Sequence, residues 1–117
     1  MKQQHCLGFA FESGLVEPRV LLTTGGSKTG VGGLVITPTE SPATAMSRLA
    51  TRLAGAPTLN WKPVVTIEFP DNTLFVFAAK WPEEMAAVGQ VRWTFENNLS
   101  DAPSIVRWLV PLAREVV

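Results

Sequence analysis

Apolar and polar positions divide the chain into strands and two helices. In His5–Phe11, Leu7, Phe9 and Phe11 fall on one face and Gly8 and Ala10 on the other, which is the period of a strand. Glu12-Ser13-Gly14 carries a turn signal. Val16–Thr24 predicts a second strand that starts after Pro18, because Arg19-Val20-Leu21-Leu22 is its apolar part. Gly25-Gly26-Ser27-Lys28-Thr29-Gly30 is expected to be a loop. Val31–Thr37 predicts a buried strand around Leu34-Val35-Ile36. In Trp61–Phe69, Val65, Ile67 and Phe69 alternate with Thr66 and Glu68. Pro70-Asp71-Asn72 turns the chain, and Leu74–Lys80 returns as the hairpin partner. Pro82–Ala87 is expected as a short helical turn, Val91–Glu96 as a strand and Asn97–Asp101 as a polar loop.

Two segments change to helical spacing. Ser41 suits an N-cap and Pro42 the first helical position. Ala45, Met46, Leu49, Ala50 and Leu53 then recur on one face, until Gly55 and Pro57 stop the helix. A second helix is expected from about Pro103, with Ile105, Trp108, Leu109, Leu112 and Val116 as its apolar stripe and Pro111 as a kink. The order is three strands, a helix, two or three strands, and a helix. That order predicts an α/β fold of the α/β/α sandwich type, a mixed sheet with helices on both faces, in one domain over residues 1–117.

Composition narrows the chemistry. The chain has 117 residues, 46% hydrophobic and 17% charged, too apolar for a disordered chain. Ten basic and ten acidic residues cancel, so no global field holds it on nucleic acid or an acidic membrane, and self-association is favoured. One Cys excludes an intrachain disulfide, and His5 with Cys6 offers too few ligands for a zinc site. The pair is expected to begin the first strand. No secretory signal or membrane-length apolar run is visible, and a cytoplasmic location is expected. Gly25–Gly30 fails the phosphate-loop pattern, since Ser27 rather than Gly precedes Lys28; Lys28 stays a candidate phosphate contact from that loop.

The stretch Gly32–Gly55, GGLVITPTESPATAMSRLATRLAG, resembles the Nudix hydrolase signature G-x5-E-x7-R-E-U-x-E-E-x-G-U, where U is bulky and apolar. Glu40 and Arg48 have the x7 spacing, Gly55 falls at the late Gly, and Gly33 stands one residue too far upstream of Glu40. His5–Phe11 is similar to the opening strand of a phage-type Nudix subgroup. Gly30–Gly33 is similar to its Gly-rich approach and Arg107–Ala113 to its closing helix, helical proline included. The resemblance implies a Nudix-like sandwich, a nucleotide or nucleoside diphosphate derivative as ligand, and a phage or mobile-element origin.

It also marks a loss. The family's metal-binding carboxylates follow the box Arg, and the matching positions here are Leu49, Arg52 and Leu53. A hard cation needs anionic oxygens, a face carrying Arg48 and Arg52 repels it, and Leu49 and Leu53 suit an apolar pair. A degenerate, non-catalytic box is therefore expected, with no cofactor. Mg²⁺ would enter only with a relocated carboxylate site such as Glu40, Glu68 and Glu96, and Glu40 is the remaining catalytic candidate. Arg48 and Arg52 could hold a diphosphate without metal, with Trp61 or Phe11 stacking on a base. Alternatively Arg48 pairs internally with Glu40 and Arg52 is solvated. Trp61 and Trp81 end strands, where core packing competes with stacking. Two other functions stay open: a protein-interaction or regulatory module acting as a homodimer, and a hydrolase with relocated carboxylates.

Overall fold

The structure is a computed structural model that describes residues 3–12, 19–25, 28–30, 32–55, 59–82, 91–95 and 104–117. The described residues form β1 (Gln3–Glu12), β2 (Arg19–Gly25), β3 (Lys28–Gly30), β4 (Gly32–Ile36), α1 (Pro42–Ala54), β5 (Lys62–Glu68), β6 (Asn72–Trp81), β7 (Val91–Phe95) and α2 (Ser104–Val116). The turn at Ser13-Gly14, the helical turn beyond Pro82, the loop at Asn97–Asp101, and Pro18, Val31, Pro57, Glu96 and Pro103 lie outside the described residues.

β1 pairs in parallel with β6 along its whole length, from Gln3↔Asn72 to Glu12↔Trp81. Its other edge is divided. Gln4–Gly8 pairs antiparallel with β4, and Phe11 pairs with Val20 of β2. β2 continues the sheet to β3 and β7, and β5 pairs antiparallel with β6. The expected hairpin is present, closed by Phe69 N–H donating to the Asn72 carbonyl at 2.8 Å. One expectation fails here: Lys28–Gly30 is not loop but a short strand paired with Thr23–Gly25. Backbone pairing to β2 satisfies these residues, and composition alone does not reveal it.

Strand alternation sorts β1 into two cores. Phe9 and Phe11, with Val76 and Ala78, pack against Val106, Leu109, Val110 and Ala113 of α2. Cys6 and Ala10, with Leu21, Ala79 and Trp81, pack against Met46, Leu49, Ala50 and Leu53 of α1. Helices therefore cover both faces, as the pattern predicted. Trp81 is core, edge-on to Trp93 with ring centroids 5.6 Å apart. At the far end of β1, Arg19 donates twice to Glu12, at 2.6 and 2.7 Å, and lies over the Phe95 ring.

α1 starts and stops as expected. Ser41 Oγ accepts from the Thr44 N–H at 3.2 Å, Pro42 opens the helix, and Gly55 ends it at φ 75° with its N–H on the Thr51 carbonyl. α2 corrects the expected stripe. Its buried residues are Val106, Leu109, Val110 and Ala113, whereas Trp108 is 61% exposed and Leu112 38%. Small and β-branched residues let the helix approach the sheet, so the face with Ala113 turns inward and Trp108 outward. The helix runs continuously through the exposed Pro111. No helix among the described residues is long and apolar enough to cross a membrane.

α1 closes onto β1 at Gly8. A Cβ there would lie 2.7 Å from Trp61 Cη2 and 2.8 Å from Leu49 Cδ2. Gly8→Ala is therefore expected to cost about 1–3 kcal/mol by overpacking. In Gly8→Ala/Trp61→Ala the added methyl enters vacated space, so the combined loss is smaller than the sum of the single losses. Urea unfolding of the four proteins measures both effects.

Candidate functional site

The turn between β4 and α1 is built around one carboxylate. The Glu40 N–H donates to the Thr37 carbonyl at 3.1 Å, and the Thr37 N–H donates to Glu40 Oε1 at 3.1 Å. Arg48 closes the other side: Nε donates to Glu40 Oε2 at 2.7 Å and Nη2 to Oε1 at 2.7 Å. The same Nη2 donates to the Val35 carbonyl at 3.0 Å. Charge-assisted forked pairs of this kind are short and directional. The Arg48 hydrogen bonds hold the Glu40 carboxyl below the usual carboxylate range, partly offset by desolvation and aided by the Thr37 N–H. The Arg48 guanidinium is raised in turn, chiefly by its bonds to Glu40.

Arg48 makes the internal pairing, with its donors on Glu40 and the Val35 carbonyl. Arg52, one turn further along α1, is exposed and makes no hydrogen bond or ion pair among the described residues. Leu49 and Leu53 are 2% and 5% exposed and belong to the α1 core, where each contributes about 1.5–3 kcal/mol relative to exposure. Of the three positions that the resemblance aligns with carboxylates, Leu49 and Leu53 are buried aliphatics and Arg52 is a cation, and none offers the anionic oxygen a divalent cation needs. Among the described residues no group of three His, Cys, Asp or Glu side chains converges. Glu40 is engaged by Arg48, and Glu96 of the relocated trio lies outside the described residues.

The stacking candidates are placed differently from expectation. Phe11 is 3% exposed in the α2 core, on the face of the sheet opposite α1 and Arg52. Trp61 is half-buried; its Nε1–H donates to the Met46 carbonyl at 3.0 Å and its ring lies against Gly8. Its indole thus ties α1 to the sheet. Lys28 sits on β3, opposite Gly25.

A groove that the sequence did not reveal lies on the other face of the sheet. It has a volume of about 380 Å³ and is lined by His5, Cys6, Leu7, Gly33, Val35, Asn72 and Leu74. Register explains it: Val35, His5 and Leu74 form one row across β4, β1 and β6, and Gly33, Leu7 and Val76 the next. α2 packs further along the sheet, which leaves Val35 46% exposed. His5 and Asn72 are half-buried, and their side chains make no hydrogen bond among the described residues. No signal in the sequence alone could join them, because positions 5, 35 and 72 meet only through strand pairing.

The groove and α1 meet at the edge of β4. Arg48 reaches Val35, while Leu49 reaches Gly8, whose partner is Gly32. α1 therefore runs back along β4 toward its Gly32 end, and Arg52 follows Arg48 on that side.

Compared by sequence, the chain matches no family model and no curated protein. Compared by structure, it is similar to a NUDIX family hydrolase from Clostridium perfringens, with TM-score 0.78, 15% identity, and 100% of this chain and 99% of that chain covered. It is similar to the NUDIX domain of Shewanella oneidensis NrtR, solved in complex with ADP ribose, with TM-score 0.72, 15% identity, and 98% and 88% covered. It is also similar to the C-terminal domain of mouse MUTYH, solved in complex with human PCNA, with TM-score 0.75, 15% identity, and 98% and 89% covered.

A lowered Glu40 pKa has a defined sign in stability. The clasp contributes fully above the ordinary carboxylate range, and the contribution disappears as pH falls through that range to the lower folded value. Glu40→Gln is thus expected to be less stable than the parent at neutrality, with the gap shrinking in acid. Denaturation midpoints of both proteins across that range measure it. The chain carries the fold of the Nudix hydrolases.

Proposed function

We propose that this protein binds a nucleotide or other nucleoside diphosphate derivative without hydrolysing it by Nudix metal chemistry. The observation that carries the reading is the His5 groove, where His5 and Asn72, two half-buried polar side chains with no hydrogen bond among the described residues, line one concavity with Leu7, Val35 and Leu74. A concave apolar site with a few convergent polar groups suits a planar heterocycle. In this reading the base lies on the row Val35–His5–Leu74 and His5 and Asn72 read its edge. The phosphates pass around the edge of β4 that is unpaired among the described residues, toward Arg52. An exposed guanidinium pairs with phosphate oxygens directly and replaces the charge a metal would supply. Structural neighbours support the ligand class, one of them in complex with ADP ribose. Leucines at two box positions support the absence of Nudix-type catalysis.

A second reading, a protein-interaction module, rests on the outward face of α2, where Trp108 and Leu112 are exposed. Light scattering tests its homodimer form: a monomer at high concentration removes it.

The nucleotide reading predicts metal-independent stabilisation. A ligand at a hundredfold its dissociation constant adds about 2.7 kcal/mol, a rise in Tm of several degrees, with chelator present. Thermal melts with ADP and ADP-ribose test it; no shift with either, with or without Mg²⁺, sinks the reading, and a shift only with Mg²⁺ points to a carboxylate site. Arg52→Glu is expected to weaken affinity at least about tenfold while changing the unliganded stability by no more than about 0.5 kcal/mol.

A further inference from the structure

We propose that Arg48 is a positioning residue for the His5 groove: the Glu40–Arg48 clasp on the α1 side of β4 fixes the Val35 wall on the opposite side. The coupling stands on the geometry of β4. That the groove holds a ligand rests on the reading above.

β4 is five residues long, and β1 is its only pairing partner among the described residues. Pairing along one edge leaves the strand free to twist about that edge. Three contacts at its C-terminal end remove the freedom. Ile36 is 4% exposed in the α1 core, and Glu40 closes the turn onto Thr37. Arg48 Nη2 bridges Glu40 Oε1 at 2.7 Å and the Val35 carbonyl at 3.0 Å. The Val35 backbone is thus held from the α1 side, and strand alternation sends its side chain to the groove side. His5 lies directly opposite Val35 in the register, with Leu74 beyond it. A rotation of Val35 therefore moves the groove wall and changes the surroundings of the His5 imidazole. The planar guanidinium sets this Nη2 bridge at a fixed angle to the second bond, from Nε to Glu40 Oε2 at 2.7 Å. A lysine keeps the charge but offers a single point and no fixed geometry. Arg48 touches the ligand nowhere in this scheme; it acts through Val35.

His5 is the only histidine, so its imidazole NMR signals need no assignment by mutation. In the unliganded protein, Arg48→Lys is expected to shift the His5 imidazole and Val35 methyl signals by several linewidths. Leu109 methyl signals in the α2 core stay in place, as does the whole set in the control Arg107→Lys on the surface of α2. Unmoved His5 and Val35 signals in folded Arg48→Lys overturn the proposal. Should Arg48→Lys not fold, Glu40→Gln carries the same expectation and the same failure. With ADP-ribose as probe, Arg48→Lys is expected to weaken binding about tenfold, an ordinary coupling through protein structure. Unchanged affinity with moved signals overturns the link between clasp and groove. Absence of ADP-ribose binding by the parent protein counts against the nucleotide reading, and the His5 signals then judge the positional coupling alone.

Discussion

Strand β1 gives one edge wholly to β6 and divides the other between β4 and β2, and each layer of the molecule is placed by that division. A strand paired on both edges and covered on both faces must satisfy two cores at once. β1 does so with large residues on one face and small ones on the other. Phe9 and Phe11 fill the α2 side, whereas Cys6, Gly8 and Ala10 leave room on the α1 side for Leu49 and the Trp61 ring. The divided edge also shapes the His5 groove. β4 pairs only with β1 among the described residues, with α1 on one face and the His5 groove on the other.

α1 turns an aliphatic face to the sheet and carries its arginines outside. Buried Leu49 and Leu53 stabilise the α1 interface where carboxylates would have to remain solvated or coordinate a cation. Arg48 pairs with the Glu40 carboxylate and with the Val35 carbonyl. Arg52 stands exposed one turn further along the helix. Proteins of this fold are solved with ADP ribose and with PCNA, so the scaffold itself is compatible with small-molecule and protein partners. Site chemistry, not the scaffold, has to choose between them.

Local signals were legible where local physics decides. Ser41, Pro42 and Gly55 bound α1 because capping depends on residues within one turn. The β5–β6 hairpin was legible because its turn and alternation are contiguous in sequence. The exposure of Trp108 and Leu112 was not legible, since an apolar arc wider than the sheet can cover does not say which part is buried. Phe11 and Trp61 looked alike as stacking candidates; their separation onto opposite faces follows from the register of β1 and the placement of α1. β3 was hidden in a Gly-rich run, because its pairing comes from the partner strand and not from its own side chains.

By itself the sequence determined the element types, the two-faced pattern of β1, the caps of α1 and the presence of Leu49, Arg52 and Leu53 on its helix, all of which depend on residue identity and short-range spacing. The tertiary structure alone decided that Arg48 bonds Val35 as well as Glu40, that Arg52 stands exposed, and that His5, Val35, Asn72 and Leu74 line one groove. Those relations join positions dozens of residues apart through strand register, and register is set by the simultaneous burial of both cores rather than by any one segment.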